Sequence, residues 1–191
     1  MMSVQSNSEQ VNVLVVIDTA YIVNNYPNPS TDPENPTAVD HNSQHMICAS
    51  PRGIVGGQGS ADLDFRAKAG DLASFTGISI YANSAAAVIL YGIRYWNGDQ
   101  VFNPWGPKKV TRHRAVMPGP TKPNELPPTH QPISYASYEA KIKQAGKENL
   151  YVDIAVYILA KDGQTQNLYG YFCWNPSITV RNDISTDIES K

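Results

Sequence analysis

His41 and His45 stand four residues apart, with Asp40 and Asn42 flanking the first, and form the densest group of candidate ligands in the chain. The spacing matches a zinc-protease helix, but Asn42 occupies the place of the glutamate base, and the surrounding residues lack a helical pattern. In an extended segment the two rings still point the same way, yet a transition metal needs three or four convergent ligands. Hydrogen-bonded loop residues are the plainer reading. Calcium fits the oxygen-rich segment better, through Asn28, Asp32 and Asp40 with Asn42 nearby, although no regular Asp-x-Asp-x-Asp loop is present. Calcium is therefore the candidate cation, and no other cofactor is expected.

A second candidate is Trp105 in the turn-rich run Asn103-Pro104-Trp105-Gly106-Pro107. An indole beside amide donors can stack on the C–H face of a sugar while the amides bind hydroxyls. Asp40, His41, Asn42, Asn103 and Trp105 are thus the expected glycan-binding residues, provided their two loops reach the same end of the fold. The alternative makes Trp105 a plug folded back over the core. Trp96 and Trp174 are expected inside. Other chemistry finds little support. A Gly-x-Ser-x-Gly elbow is missing, and Ser60 near Asp62 is not a triad, so an enzyme is not expected. Gly57-Gln58-Gly59 is half a dinucleotide fingerprint without its helix and reads as a bulge or corner. Lys108, Lys109, Arg112, His113 and Arg114 are the main basic cluster; a charged edge strand explains it better than a nucleic-acid site.

The elements that must position these residues are strands. Leu150, Val152, Ile154, Val156 and Ile158 alternate with Tyr151, Asp153, Ala155 and Tyr157, and Leu168, Gly170, Phe172 and Trp174 continue the same pattern. A loop of odd length with Gly163 at positive φ would set Val156 opposite Gly170, Ile154 opposite Phe172 and Val152 opposite Trp174. That register gathers the large apolar side chains on one face. Val11 to Ile17 reads as a central strand, ended by Asp18 and Thr19, with Tyr21 to Asn25 a bent strand or turn. His45 to Ala49 is a short strand. Residues 26–44 form a long loop braced by Pro27, Pro29, Pro33 and Pro36.

Further along, Asp62 to Lys68 and Asp71 to Ile80 read as a hairpin turning at Gly70. Ala86 to Trp96 reads as a second central strand, with Asn97-Gly98 a hairpin turn. Lys109 to Met117 is an expected edge strand within a proline-rich excursion over 103–134, and Tyr138 to Ile142 a half-exposed strand. Residues 1–10 and 181–191 read as polar tails around one domain, 11–180.

Composition agrees. Of 191 residues 17% are charged, Tyr (11) outnumbers Phe (4), and 14 Pro with 13 Gly imply many turns. The expected fold is all-β: an antiparallel two-sheet sandwich, jelly-roll or Ig-like, with long Pro-rich loops. A net charge of −2 gives no general attraction to nucleic acid or anionic membrane. No apolar run spans a membrane and no secretory signal is legible, so the expected setting is cytoplasmic. Cys48 and Cys173 are then expected as buried, reduced thiols, with pairing the alternative in an oxidising compartment. The Asn-Pro-Ser and Asn-Pro-Thr sites at Asn28, Asn35 and Asn175 are disqualified as glycosylation acceptors by proline.

Several stretches look familiar together: VLVVIDTAYIVNNYPNPSTDPENPT, DHNSQHMI, GQGSADLDFRAKAGD, SIYANS to YGIRYW, VFNPW and GYFCWNPSITV. In this order, over roughly residues 11–180, the chain resembles the PixA/AidA family of bacterial inclusion-body proteins. The resemblance implies a small bacterial protein, found in cytoplasmic inclusions in some members; the expected function is a self-associating binding module with a lectin-like site, and the alternative is an inclusion-body packing or storage protein with no small-molecule ligand. It carries no catalytic residues across. The founding type is methionine-rich, whereas this chain has 4 Met, so sulfur storage is not implied.

Overall fold

The computed structural model describes residues 7–182. In chain order the elements are β1 (Gln10–Ile17), α1 (Thr19–Asn25), β2 (Thr37–Ala38), β3 (Gln44–Ala49), β4 (Ile54–Gly56), β5 (Leu63–Arg66), β6 (Leu72–Ser79), β7 (Ala86–Gly98), β8 (Gly106–Met117), β9 (Thr129–Lys141), β10 (Gly146–Leu159), β11 (Gln166–Trp174) and β12 (Ser177–Arg181). One sheet has the order β3-β1-β6-β9-β8. The other is built on β10, which pairs β7 along one edge and β11, then β12, along the other; β2 extends β11, while β5 and then β4 extend β12.

The period-2 patterns explain the packing. Val11, Val13, Val15 and Ile17 of β1 are buried while Asn12 and Leu14 face out. Leu150, Val152, Ile154 and Val156 of β10 meet Phe172 and Trp174 of β11 in the same core cluster, so both sheets bury one face in common. Each large side chain buried there contributes about 1.5–3 kcal/mol. β1 lies between β3 and β6, as a β-branched apolar run suggests. The expected face pairing also holds: Val156 opposes Gly170, Ile154 opposes Phe172 and Val152 opposes Trp174.

The cause of that register differs from the one expected. Leu159 opposes Gln166, so the connecting loop is even, and a bulge at Tyr169 changes the parity before Gly170. Gly163 does take positive φ, at 67°. Gly170 is required for another reason, since a Cβ there would overlap the ring of Pro29. The proline loop can press against β11 only because that position is bare.

Five further expectations are corrected. The sheets are mixed rather than antiparallel, because β1–β6, β11–β2 and β12–β5 are parallel; jelly-roll and Ig-like sheets are antiparallel. Thr19–Asn25 is a helix, capped by Asp18, whose carboxylate accepts from Tyr21 N at 2.9 Å, and ended before Pro27. β5 and β6 are not a hairpin, since the chain changes sheets at Gly70. β7 is not central: among the described residues its only paired strand is β10, Asn97-Gly98 stays paired with Asn149 and Glu148, and Trp96 is 43% exposed against Tyr151. The Tyr138 hydroxyl donates to Tyr91 O, which partly covers the β7 edge. Finally, β9 begins at Thr129, deep inside the supposed proline excursion, whereas β8 is the outermost strand of its sheet, as expected.

Two residues at the expected boundaries 1–10 and 181–191 lie in strands. Gln10 opens β1 and Arg181 closes β12, where it pairs with Asp64 at 2.6 Å. Residues 1–6 and 183–191 lie outside the described residues.

Candidate functional site

Asp40, His41 and Asn42 sit just beyond the C-terminal end of β1, where Asp18 N donates to Ser43 O. The Tyr21 hydroxyl (2.7 Å) and Asn42 Nδ2 (2.9 Å) both donate to Asp40 Oδ2, and Asn42 N donates to Oδ1. Asp40 N donates in turn to the Tyr26 hydroxyl. The Tyr21 hydrogen bond holds the Asp40 carboxyl below its ordinary value and pushes the Tyr21 phenol up. Tyr21 therefore belongs to this cluster, placed there by a helix that the sequence reading missed.

The two histidines are engaged by different segments. His41 Nε2 lies 3.4 Å from Asn175 Oδ1 and its Nδ1 4.0 Å from Asp62, whereas His45 Nδ1 lies 3.2 Å from Gly59 O. Asp32 is folded into its own turn, accepting from Glu34 N and Asn35 Nδ2 at 3.0 and 2.7 Å, and the Asn35 contact lowers its carboxyl. Asn28 is exposed. Among the described residues, no three His, Cys, Asp or Glu side chains converge as a metal set.

Asn103 and Trp105 lie elsewhere. Asn103 N donates to Lys141 O, and Lys141 opposes Leu72, which opposes Gln10 at the start of β1. Asp40 lies past Ile17 at the other end, so about 20 Å of strand separates the two groups. Trp105 packs edge-on against Phe75 (5.1 Å) and tilted on Phe102 (4.9 Å), as the plug alternative has it. Its Nε1–H is buried without a hydrogen-bond partner among the described residues.

Beside Trp105 is a cleft of about 450 Å³, lined by Arg94, Tyr95, Asn103, Lys143 and Glu148 among others. Glu148 is buried and accepts from Phe102 N at 3.0 Å; burial pushes its carboxyl up, only partly offset by that bond. Sequence reasoning missed Glu148, although it shares the parity of the buried Leu150 and Val152 on β10, and that alternation is the signal that could have found it. Arg94 is held bidentately by Asp153 at 2.9 Å twice, and Asp153 raises its pKa. The charges lining the cleft are thus largely spoken for. The cysteines offer no nucleophile: both are buried free thiols, Cys48 pushed up to about 11 and Cys173 to about 12 by burial, far from thiolate at neutral pH.

A further surface feature is the β8–β9 ribbon. β6 pairs β9 only from Tyr138 to Lys141, so Lys108–Met117 and Thr129–Ser137 pair with each other and with no third strand among the described residues. A bulge lies between Arg112 and Ala115, opposite Pro132, which has no N–H to donate. Val116 (64%), Leu126 (57%) and Tyr135 (52%) are exposed along it. The sequence marked one strand of this arm as an edge but gave no sign that both strands leave the body together.

A family model described as PixA, inclusion body protein, matches residues 9–180. Among solved structures, the crystal structure of an inclusion body protein (PixA) from Burkholderia cenocepacia J2315 is similar over 94% of this chain and 100% of its own, with 26% identity and a TM-score of 0.75. No curated protein matches.

Proposed function

Because this chain belongs to the PixA inclusion body protein family, we propose that it is a non-catalytic packing protein whose copies self-associate into cytoplasmic inclusions. The observation that carries this reading is the arm formed by β8 and β9. An isolated two-stranded ribbon is marginal in water, and its open edges and exposed apolar side chains are what a partner surface would cover. Low charge density, at 17% Asp, Glu, Lys and Arg, and a net charge of −2 further favour association.

A glycan-binding module is the weaker reading. Trp105 spends both ring contacts on Phe75 and Phe102, and the strand register separates it from Asp40, His41 and Asn42. Sedimentation velocity across a concentration series, with microscopy of expressing cells, tests the assembly reading. Concentration-dependent oligomers and intracellular inclusions are expected; a monomer at every concentration, without inclusions, would overturn it. A glycan array with and without calcium should give no hits.

A further inference from the structure

The charges of this chain are segregated. Residues 1–51 contain five Asp or Glu and no Lys or Arg, the first cation being Arg52. Residues 106–137, which span the arm, contain five Lys or Arg against one acid, Glu125, leaving ten cations against sixteen acids in the rest of the chain. Lys108, Lys109, Arg112 and Arg114 are exposed on β8, as are Asp32, Glu34 and Asp40 on the proline loop. Among the described residues none of these seven takes part in a salt bridge; the arginines that do are Arg52, Arg94 and Arg181, all outside the arm. Two oppositely charged surfaces of one molecule thus have no ion-pair partner among the described residues.

We propose that the basic arm of one molecule docks on the acidic loop of residues 26–43 of a second molecule, so that assembly runs head to tail. This rests on the self-association reading and assigns its contact. Arm-to-arm pairing would oppose like charges, which destabilises a strand pair. An anionic polymer would meet a body with a six-charge excess of acids and an arm whose exposed aromatic is Tyr135, poor features for single-strand binding. The receiving loop is already shaped: its four prolines, the Asp32 turn and the Tyr91 hydroxyl donating to Pro33 O (2.9 Å) hold it, which lowers the ordering cost of docking. A contact between unlike surfaces does not close on two copies and propagates into rings or open arrays.

Two variants test this by sedimentation velocity at low and high salt, with circular dichroism to confirm folding. Lys108→Glu/Arg112→Glu alters the arm; Thr31→Lys/Glu34→Lys alters the loop and leaves Asp32 and Asp40 in place. Each variant alone should associate at least tenfold more weakly than wild type. Mixed together they retain one intact contact, the normal arm of one on the normal loop of the other, and should recover association to at least a 1:1 dimer. Wild-type association should weaken as the screening length falls from about 10 Å at 0.1 M salt to about 3 Å at 1 M, a readout that needs no variant. Wild-type oligomers matched by both variants, or unaffected by salt, would overturn the docking while sparing self-association. A loop variant that assembles alone would mean arm-to-arm pairing. A single-stranded oligonucleotide that binds wild type but not the arm variant, with self-association unchanged in both, would assign the arm to nucleic acid and overturn the proposal. A wild type that never associates would remove the reading on which it rests.

Discussion

β10–β11 and β8–β9 are both long antiparallel pairs, and they have opposite fates. β10 has neighbours on both edges and alternates a buried face with a covered one, ending against Trp174, which is 1% exposed. Among the described residues, Lys108–Met117 and Thr129–Ser137 pair as strands only with each other, and of Thr129–Ala136 only Ile133 is partly covered. Backbone pairing is equally regular in both. What separates them is side-chain burial, which supplies most of the stabilisation. The first pair holds the molecule together, and the second is surface carried by it.

The largest test of that contrast is Trp174→Ala, expected to cost about 3–5 kcal/mol, read as a large fall in Tm with full loss of cooperativity at body temperature. Next comes Asp71→Asn, at about 3 kcal/mol, since it removes the buried carboxylate charge that Arg52 pairs with at 2.7 Å. Burial alone would raise the Asp71 carboxyl, but Arg52 and the amides of Glu9 and Lys68 outweigh it, and the net shift is downward. Its contribution is therefore full above the unfolded pKa and lost as pH falls through the lower folded value. The acid side of a Tm–pH profile should flatten in the variant.

Trp105→Ala should cost about 2 kcal/mol, the scale of a partly buried aromatic, and lower Tm without changing binding of any glycan per folded molecule. Retained Tm with lost glycan binding would restore a ligand role for Trp105. Glu148 works in the opposite sense to Asp71: burial raises its folded pKa, so its contribution is full below the unfolded pKa and lost as pH rises through the folded value. Glu148→Gln should remove that decline from the Tm–pH profile. The smallest effect is expected on the arm, where Leu126→Ser should change stability by no more than about 0.5 kcal/mol. A large destabilisation there would show that the arm is part of the core after all.

Local pattern determined a good deal by itself. Alternation assigned the faces of β1, β10 and β11, because a strand repeats every two residues and a one-residue slip would put its apolar set in water. Gly163 marked its turn, the buried cysteines behaved as small apolar residues, and ordered blocks of residues carried the family. Asp18 and Pro27 also bracketed α1 as cap and stop, although seven residues are too few for helical periodicity to stand out. Only the tertiary structure decided which strands are neighbours. Parallel pairing of β1 with β6, the change of sheet at Gly70 and the edge position of β7 depend on partners tens of residues away, and alternation says which way a side chain faces without saying what it faces. The same reason hid the separation of Asp40 from Trp105, which follows from the register of β9 on β6 and of β6 on β1, and the arm's departure from the body, which follows from where β9 stops pairing with β6; each is a property of paired strands and of no one sequence alone.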